Sequence, residues 1–117
     1  MPNRRHRRAA ASTELQRRVV DWAEKIGVKV NEIHVRKTSR KWASCSTAGR
    51  LTFGADVQTL EADLVDYIVV HELLHLRVPN HSKLWKSLMR AYLGDYEETE
   101  GRLTLAGTHG RQAFPTI

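Results

Sequence analysis

Leu15, Val19, Trp22, Ala23 and Ile26 recur at helical spacing, so one face of a helix from about Ser12 to Lys25 is predicted to be buried. Ser12 or Thr13 supplies its N-cap, and Gly27 stands where helices commonly end. From Val28 the period changes. Val28, Val30, Ile33 and Val35 are β-branched residues set among polar ones, which predicts strand structure with a break near Asn31. Lys41 to Ser46 and Arg50 to Phe53 read as two further short strands, with Ser46-Thr47-Ala48-Gly49 as the hairpin loop between them. The expected sheet is small and mostly antiparallel.

A second helix is predicted from Thr59, with Glu61, Asp63 and Asp66 in its early turns, where the helix dipole favours negative charge. Leu60, Leu64, Val65, Ile68, Val69, Leu73, Leu74 and Leu76 surround most of it. A helix apolar nearly all round is a central, buried one. Pro79 stops it near Arg77. Asn80 can cap a further helix from about His81 to Leu93, with Leu84, Trp85, Leu88, Met89 and Tyr92 inward and Gly94 at its end. Residues 95–103 are polar with helical potential, and from Thr104 onward Gly, Thr and Pro suggest a loose tail. The pattern is that of an α+β fold.

At 117 residues, 41% of them hydrophobic, the chain is the size of one globular domain. The expected division is a flexible basic arm at 1–11, a single domain at 12–103 and the tail at 104–117. Cys45 is the sole cysteine, so neither an internal disulfide nor a multi-cysteine metal site is available. No apolar run is long enough to span a membrane and no signal peptide is recognisable, so a cytoplasmic location is expected. The net charge of +6 is uneven. Residues 1–50 hold 13 Lys/Arg against 4 Asp/Glu, and residues 51–117 hold 6 against 9. A basic half of this kind can make weak nucleic-acid contact, although a solvated arm is the commoner role for a short basic run.

The polar residues of the apolar helix carry the chemistry. His71 and His75 lie one turn apart on one face, so their imidazoles can converge on one metal ion. Glu72 is rotated about 100° from His71 and can reach a metal-bound water without being a ligand. His71-Glu72-Leu73-Leu74-His75 thus has the parts of a zinc hydrolase: two nitrogen ligands, a base and an open coordination position. A catalytic zinc needs a third protein ligand. His81 follows His75 by six residues, just past the Pro79 break. Glu97, Glu98 and Glu100 are the carboxylate alternatives, together with Asp95. Tyr92, Tyr96 and Arg77 are candidates to stabilise the oxyanion, and Asp56 or Asp95 to accept from the second nitrogen of a metal histidine. Trp42 and Cys45 are expected to pack as buried residues, and His34 to sit at the surface.

Arg40-Lys41-Trp42-Ala43-Ser44-Cys45-Ser46, Leu51-Thr52-Phe53, the run from Val65 through His71-Glu72-Leu73-Leu74-His75-Leu76, and Asn80-His81-Ser82-Lys83-Leu84-Trp85 together resemble the YgjP-like metallopeptidase family. That family is related to the SprT-like proteases and the minimal zincins. The resemblance covers roughly residues 33–103, with Ala43 standing where the family usually has glycine. It implies a minimal zincin-like fold: an N-terminal helix, a small sheet, the His-Glu-x-x-His helix and a following helix. It also implies one Zn2+ per chain held by His71, His75 and His81, Glu72 as catalytic glutamate, and a peptide or protein substrate. Two other functions are compatible with these features: a SprT-like DNA-associated protease, and a non-catalytic zinc-binding interaction module.

Overall fold

The computed structural model describes residues 4–37, 42–46, 48–78 and 82–106, with the side chains of residues 4–13, 105 and 106 left out. In chain order the elements are α1 (Arg4–Ile26), β1 (Glu32–Arg36), β2 (Ala43–Cys45), β3 (Arg50–Gly54), a 3-10 turn (Ala55–Thr59), α2 (Ala62–His75), α3 (Lys83–Leu93) and α4 (Tyr96–Ala106). The α+β expectation holds. Among the described residues no helix is long and apolar enough to cross a membrane.

Helix α1 begins at Arg4 rather than near Ser12, so it spans most of the stretch expected as an arm. Alanine and arginine are strong helix formers, and Ala9-Ala10-Ala11 lets the helix extend upstream of the serine. Leu15, Val19, Ala23 and Ile26 form its buried stripe, as their spacing predicts. At its end Gly27 takes φ 82°, and the amides of Gly27 and Val28 both donate to the Ala23 carbonyl.

The sheet differs from expectation in topology. Its order is β1-β3-β2; β2 and β3 are antiparallel neighbours as predicted, but β1 runs parallel to β3. The sheet is therefore mixed. Burial explains the order: Leu51 and Phe53 are fully buried in β3, whereas the ends of β1 are exposed and its middle half-buried. The most apolar strand takes the centre, where both edges are covered. Gly49 turns the chain into β3 with φ 88°, and a Cβ there would meet Asn31 at 3.1 Å. Asn31 sits against it because its amide N–H and side-chain NH2 donate to Gly49 O and Ala48 O respectively. Ala43 is buried in β2 opposite Phe53, so the methyl is accommodated in the strand.

Helix α2 starts three residues later than the sequence suggests, because residues 55–59 close a 3-10 turn in which Thr59 Oγ1 donates to Asp56 O at 2.7 Å. Ile68, Val69, Val70, Leu73 and Leu74 are all fully buried, so α2 is the central element its composition implies. The sheet lies against it through β2, and α1, α3 and α4 pack around it. Ser82, not Asn80, caps α3: its Oγ accepts from Trp85 N at 3.3 Å. Pro79 and Asn80 lie outside the described residues.

Two polar ties fix the helices on α2. Asp66 Oδ1 accepts from Arg18 Nη1 at 2.9 Å and from Trp22 Nε1 at 3.0 Å, joining α1 to α2. Arg102 on α4 pairs with Glu61 and Asp63 at the start of α2. The first tie is partly buried and charge-assisted, so Asp66→Ala is expected to cost about 2 kcal/mol in urea denaturation. The exposed Val20→Ala, on the same helix, should stay within about 0.5 kcal/mol of the parent. Equal effects for the two would remove Asp66 as the anchor of α1.

Candidate metal centre

Burying a polar side chain is costly unless it is bonded, and α2 buries three in succession of one turn. His71 and Glu72 are each 1% exposed and His75 is 9% exposed. Helical geometry brings the two imidazoles together on one face, with ring centroids 4.8 Å apart and planes at 84°. Glu72 Oε2 lies 3.2 Å from His71 Nδ1. In the tautomer that donates from Nδ1 to this carboxylate, the lone pair of His71 is left on Nε2, the nitrogen that would bind a metal.

Aromatic rings enclose the pair. Trp85, from the first turn of α3, lies nearly parallel to His75 (15°, 5.7 Å) and edge-on to His71 (82°, 5.1 Å). Tyr67, one turn before His71, approaches that ring at 5.7 Å. Tyr96 on α4 stacks on Tyr67 and meets Trp85 edge-on.

The three glutamate alternatives separate clearly. Glu97 pairs with Arg90 at 3.1 Å and Glu98 lies 3.5 Å from Arg102 Nε, both on the surface. Glu100 alone turns toward α2, where its Oε2 accepts from the Tyr67 hydroxyl at 2.7 Å. Burial, and then the Glu100 carboxylate, raise the Tyr67 phenol above its ordinary value, so it remains a donor. This carboxylate–phenol bond was not foreseen from the sequence; the only signal was Tyr67, one turn before His71 on the same helical face.

His81 lies outside the described residues, as does His109. Among the described residues no group of three His, Cys, Asp or Glu side chains converges. Of the oxyanion candidates, Tyr92 donates to Lys25 O at 3.4 Å and Arg77 Nη1 to Ile26 O at 2.8 Å. Both are committed to the C-terminal end of α1, which leaves Tyr96 beside the site. Asp56 and Asp95 are exposed. His34 pairs at the surface with Glu32, as expected of a surface residue. Trp42 is buried, in accord with packing.

The donor set fits a metal ion that takes nitrogen ligands. Two imidazoles sharing one tetrahedral ion through bonds of about 2 Å place their centroids about 5 Å apart, close to the separation found between His71 and His75. A buried His-Glu-x-x-His helix set against a small sheet is the arrangement of metal-dependent peptidases. The chain belongs to the YgjP-like family, whose metallopeptidase-domain model matches residues 3–105; it is a metallopeptidase domain. The fold is similar to the crystal structure of the metallopeptidase zymogen of Pyrococcus abyssi abylysin. That match has a TM-score of 0.73 at 20% identity, over 88% of this chain and 99% of that one. The zymogen of Methanocaldococcus jannaschii jannalysin matches with a TM-score of 0.72 at 21% identity, over 79% and 95%. No curated protein matches in sequence.

Cys45 on β2 is half-buried. Burial first, and then the charge of Glu72, push its thiol up to about 11. The thiolate is the reactive form, so a raised pKa delays reactivity to higher pH. At pH 8 the thiolate population should be about 100-fold below that of an unperturbed cysteine. Iodoacetamide alkylation of the native protein is expected to accelerate up to about pH 11. A rate levelling off near pH 9 would show an exposed, unperturbed thiol.

Proposed function

We propose that this domain is a zinc-dependent peptidase in which His71, His75 and His81 hold one Zn2+ per chain and Glu72 is the general base. The observation that carries the reading is the buried pair of perpendicular imidazoles with the Glu72 carboxylate against His71. The YgjP-like family match supports it. When bound, the zinc ion polarises the scissile carbonyl and lowers the pKa of water.

The remaining chemistry belongs to the chain. Glu72 Oε2 faces His71 Nδ1, which leaves Oε1 to accept the proton of the attacking water and to return it to the leaving amine. The aromatic wall of Tyr67, Trp85 and Tyr96 excludes bulk solvent from this proton path and strengthens every charge interaction within it. Tyr96 is the donor we assign to the developing oxyanion. Strand β2 is paired on one side with β3 and has no strand on its other side among the described residues. It packs against α2, so an extended peptide can add to its open edge by main-chain hydrogen bonds, with its scissile bond carried toward Glu72.

A nucleic-acid-associated peptidase is the second reading, favoured by the charge excess of residues 1–50. Part of that excess is already spent within the fold, where Arg18 pairs with Asp66 of α2. A steep loss of DNA affinity with rising salt would support this reading; salt-independent or absent binding removes it.

Zinc content measured beside peptide hydrolysis separates ligand from base. Glu72→Gln is expected to keep its zinc and lose nearly all turnover, while His71→Ala and His75→Ala lose both. Wild-type turnover in Glu72→Gln would refute the mechanism. Comparing His81→Ala with Glu100→Ala then identifies the third ligand. His81→Ala should lose zinc binding and Glu100→Ala should retain it, because Glu100 is engaged by Tyr67. The opposite pattern would establish the carboxylate arrangement.

A further inference from the structure

We propose that Trp85 is a positioning residue of the metal centre, whose indole holds both imidazoles in their ligating orientations and thereby sets metal affinity. The inference rests on the zinc reading above and concerns a side chain with no ligating role of its own.

The geometry is specific to a flat ring. His71 and His75 stand at 84° to one another, so a plane parallel to one is perpendicular to the other. Trp85 is such a plane, at 15° to His75 and 82° to His71. It lies parallel to one imidazole and perpendicular to the other, in ring contact with both. The terminal torsion of a histidine is broad and roughly two-fold, and this contact restricts it for both rings before any metal arrives. An aliphatic side chain can fill part of the same space but defines neither plane.

Trp85 is itself held at both its backbone and its ring. It is 3% exposed. Its backbone N–H donates to the capping Ser82 Oγ at 3.3 Å, which fixes its place in the first turn of α3. Behind it Tyr96 meets the indole at 86° and 6.3 Å. Tyr96 in turn stacks on Tyr67, whose hydroxyl is bonded to Glu100. The indole therefore has a fixed backing, and that rigidity is passed to the imidazoles. Groups that orient metal ligands in this way typically contribute 10–100-fold to affinity.

The test uses the full-length chain with Zn2+ affinity measured by chelator competition, and with the absorption spectrum of the Co2+-substituted protein as a report on ligand orientation. Trp85→Phe keeps a plane and should bind Zn2+ within about threefold of the parent. Trp85→Leu should bind about 10–100-fold more weakly and show an altered Co2+ spectrum. Val19→Ala, a fully buried truncation on α1, supplies a destabilised control that should bind as the parent does. If Trp85→Leu fails to fold, Trp85→Met takes its place with the same expectation. Parent-like affinity and spectrum in the aliphatic variant would overturn the inference, as would an equal loss in Val19→Ala. A wild-type protein that takes up no metal would overturn the zinc reading and this inference together. Zinc binding that is intact in wild type and indifferent to residue 85 overturns this inference alone.

Discussion

The fold is organised around one demand: a histidine, a glutamate and a second histidine must be buried on the driest helix of the chain. Nonpolar side chains occupy nearly every other position of α2 in its buried half, so the trio cannot satisfy itself with water. It is closed in by aromatic rings that bring hydrophobic area and a fixed plane at once. The sheet, α1, α3 and α4 then fall into place as the covers of α2. The bonds that secure α1 and α4 reach α2 upstream of the trio, at Asp66, Tyr67, Asp63 and Glu61. The site is thus stiffened from the helix's N-terminal half.

Much of this was legible in the sequence because helical periodicity is a local property. The central helix, its polar trio, the buried stripe of α1 and the two glycine stops at Gly27 and Gly94 each follow from residues within one or two turns. The strand positions were legible for the same reason. Strand order was not: Val28 to Val35 carries no mark of the direction of its partner, and the parallel pairing of β1 with β3 depends on which strand the remainder of the core buries most deeply. The capping of α3 was misassigned by two residues because Asn80 and Ser82 are both good caps, and only the backbone geometry selects between them.

The candidate site divides along the same line. His71, Glu72 and His75 are a local pattern and were read directly. The sorting of Glu97, Glu98 and Glu100 is a tertiary matter. One helix points two of them at arginines and the third at a buried phenol on another helix. The same holds for Arg77 and Tyr92, which looked available in sequence and are engaged by the carbonyls that end α1. Polar residues near a motif acquire or lose a catalytic role through partners distant in the chain, and no window of sequence contains those partners.

The sheet has a consequence for the behaviour of the molecule in concentrated solution. A long, flat, uncovered strand edge is a template on which identical chains assemble. Here one edge strand is only three residues long, and the other carries Glu32, His34 and Arg36, with Glu32 bonded to both His34 and Arg50. A second copy of the chain finds too little ladder at the short edge to nucleate a fibre, and at the other edge it meets charge. Strand length guards one edge against self-association and charge guards the other.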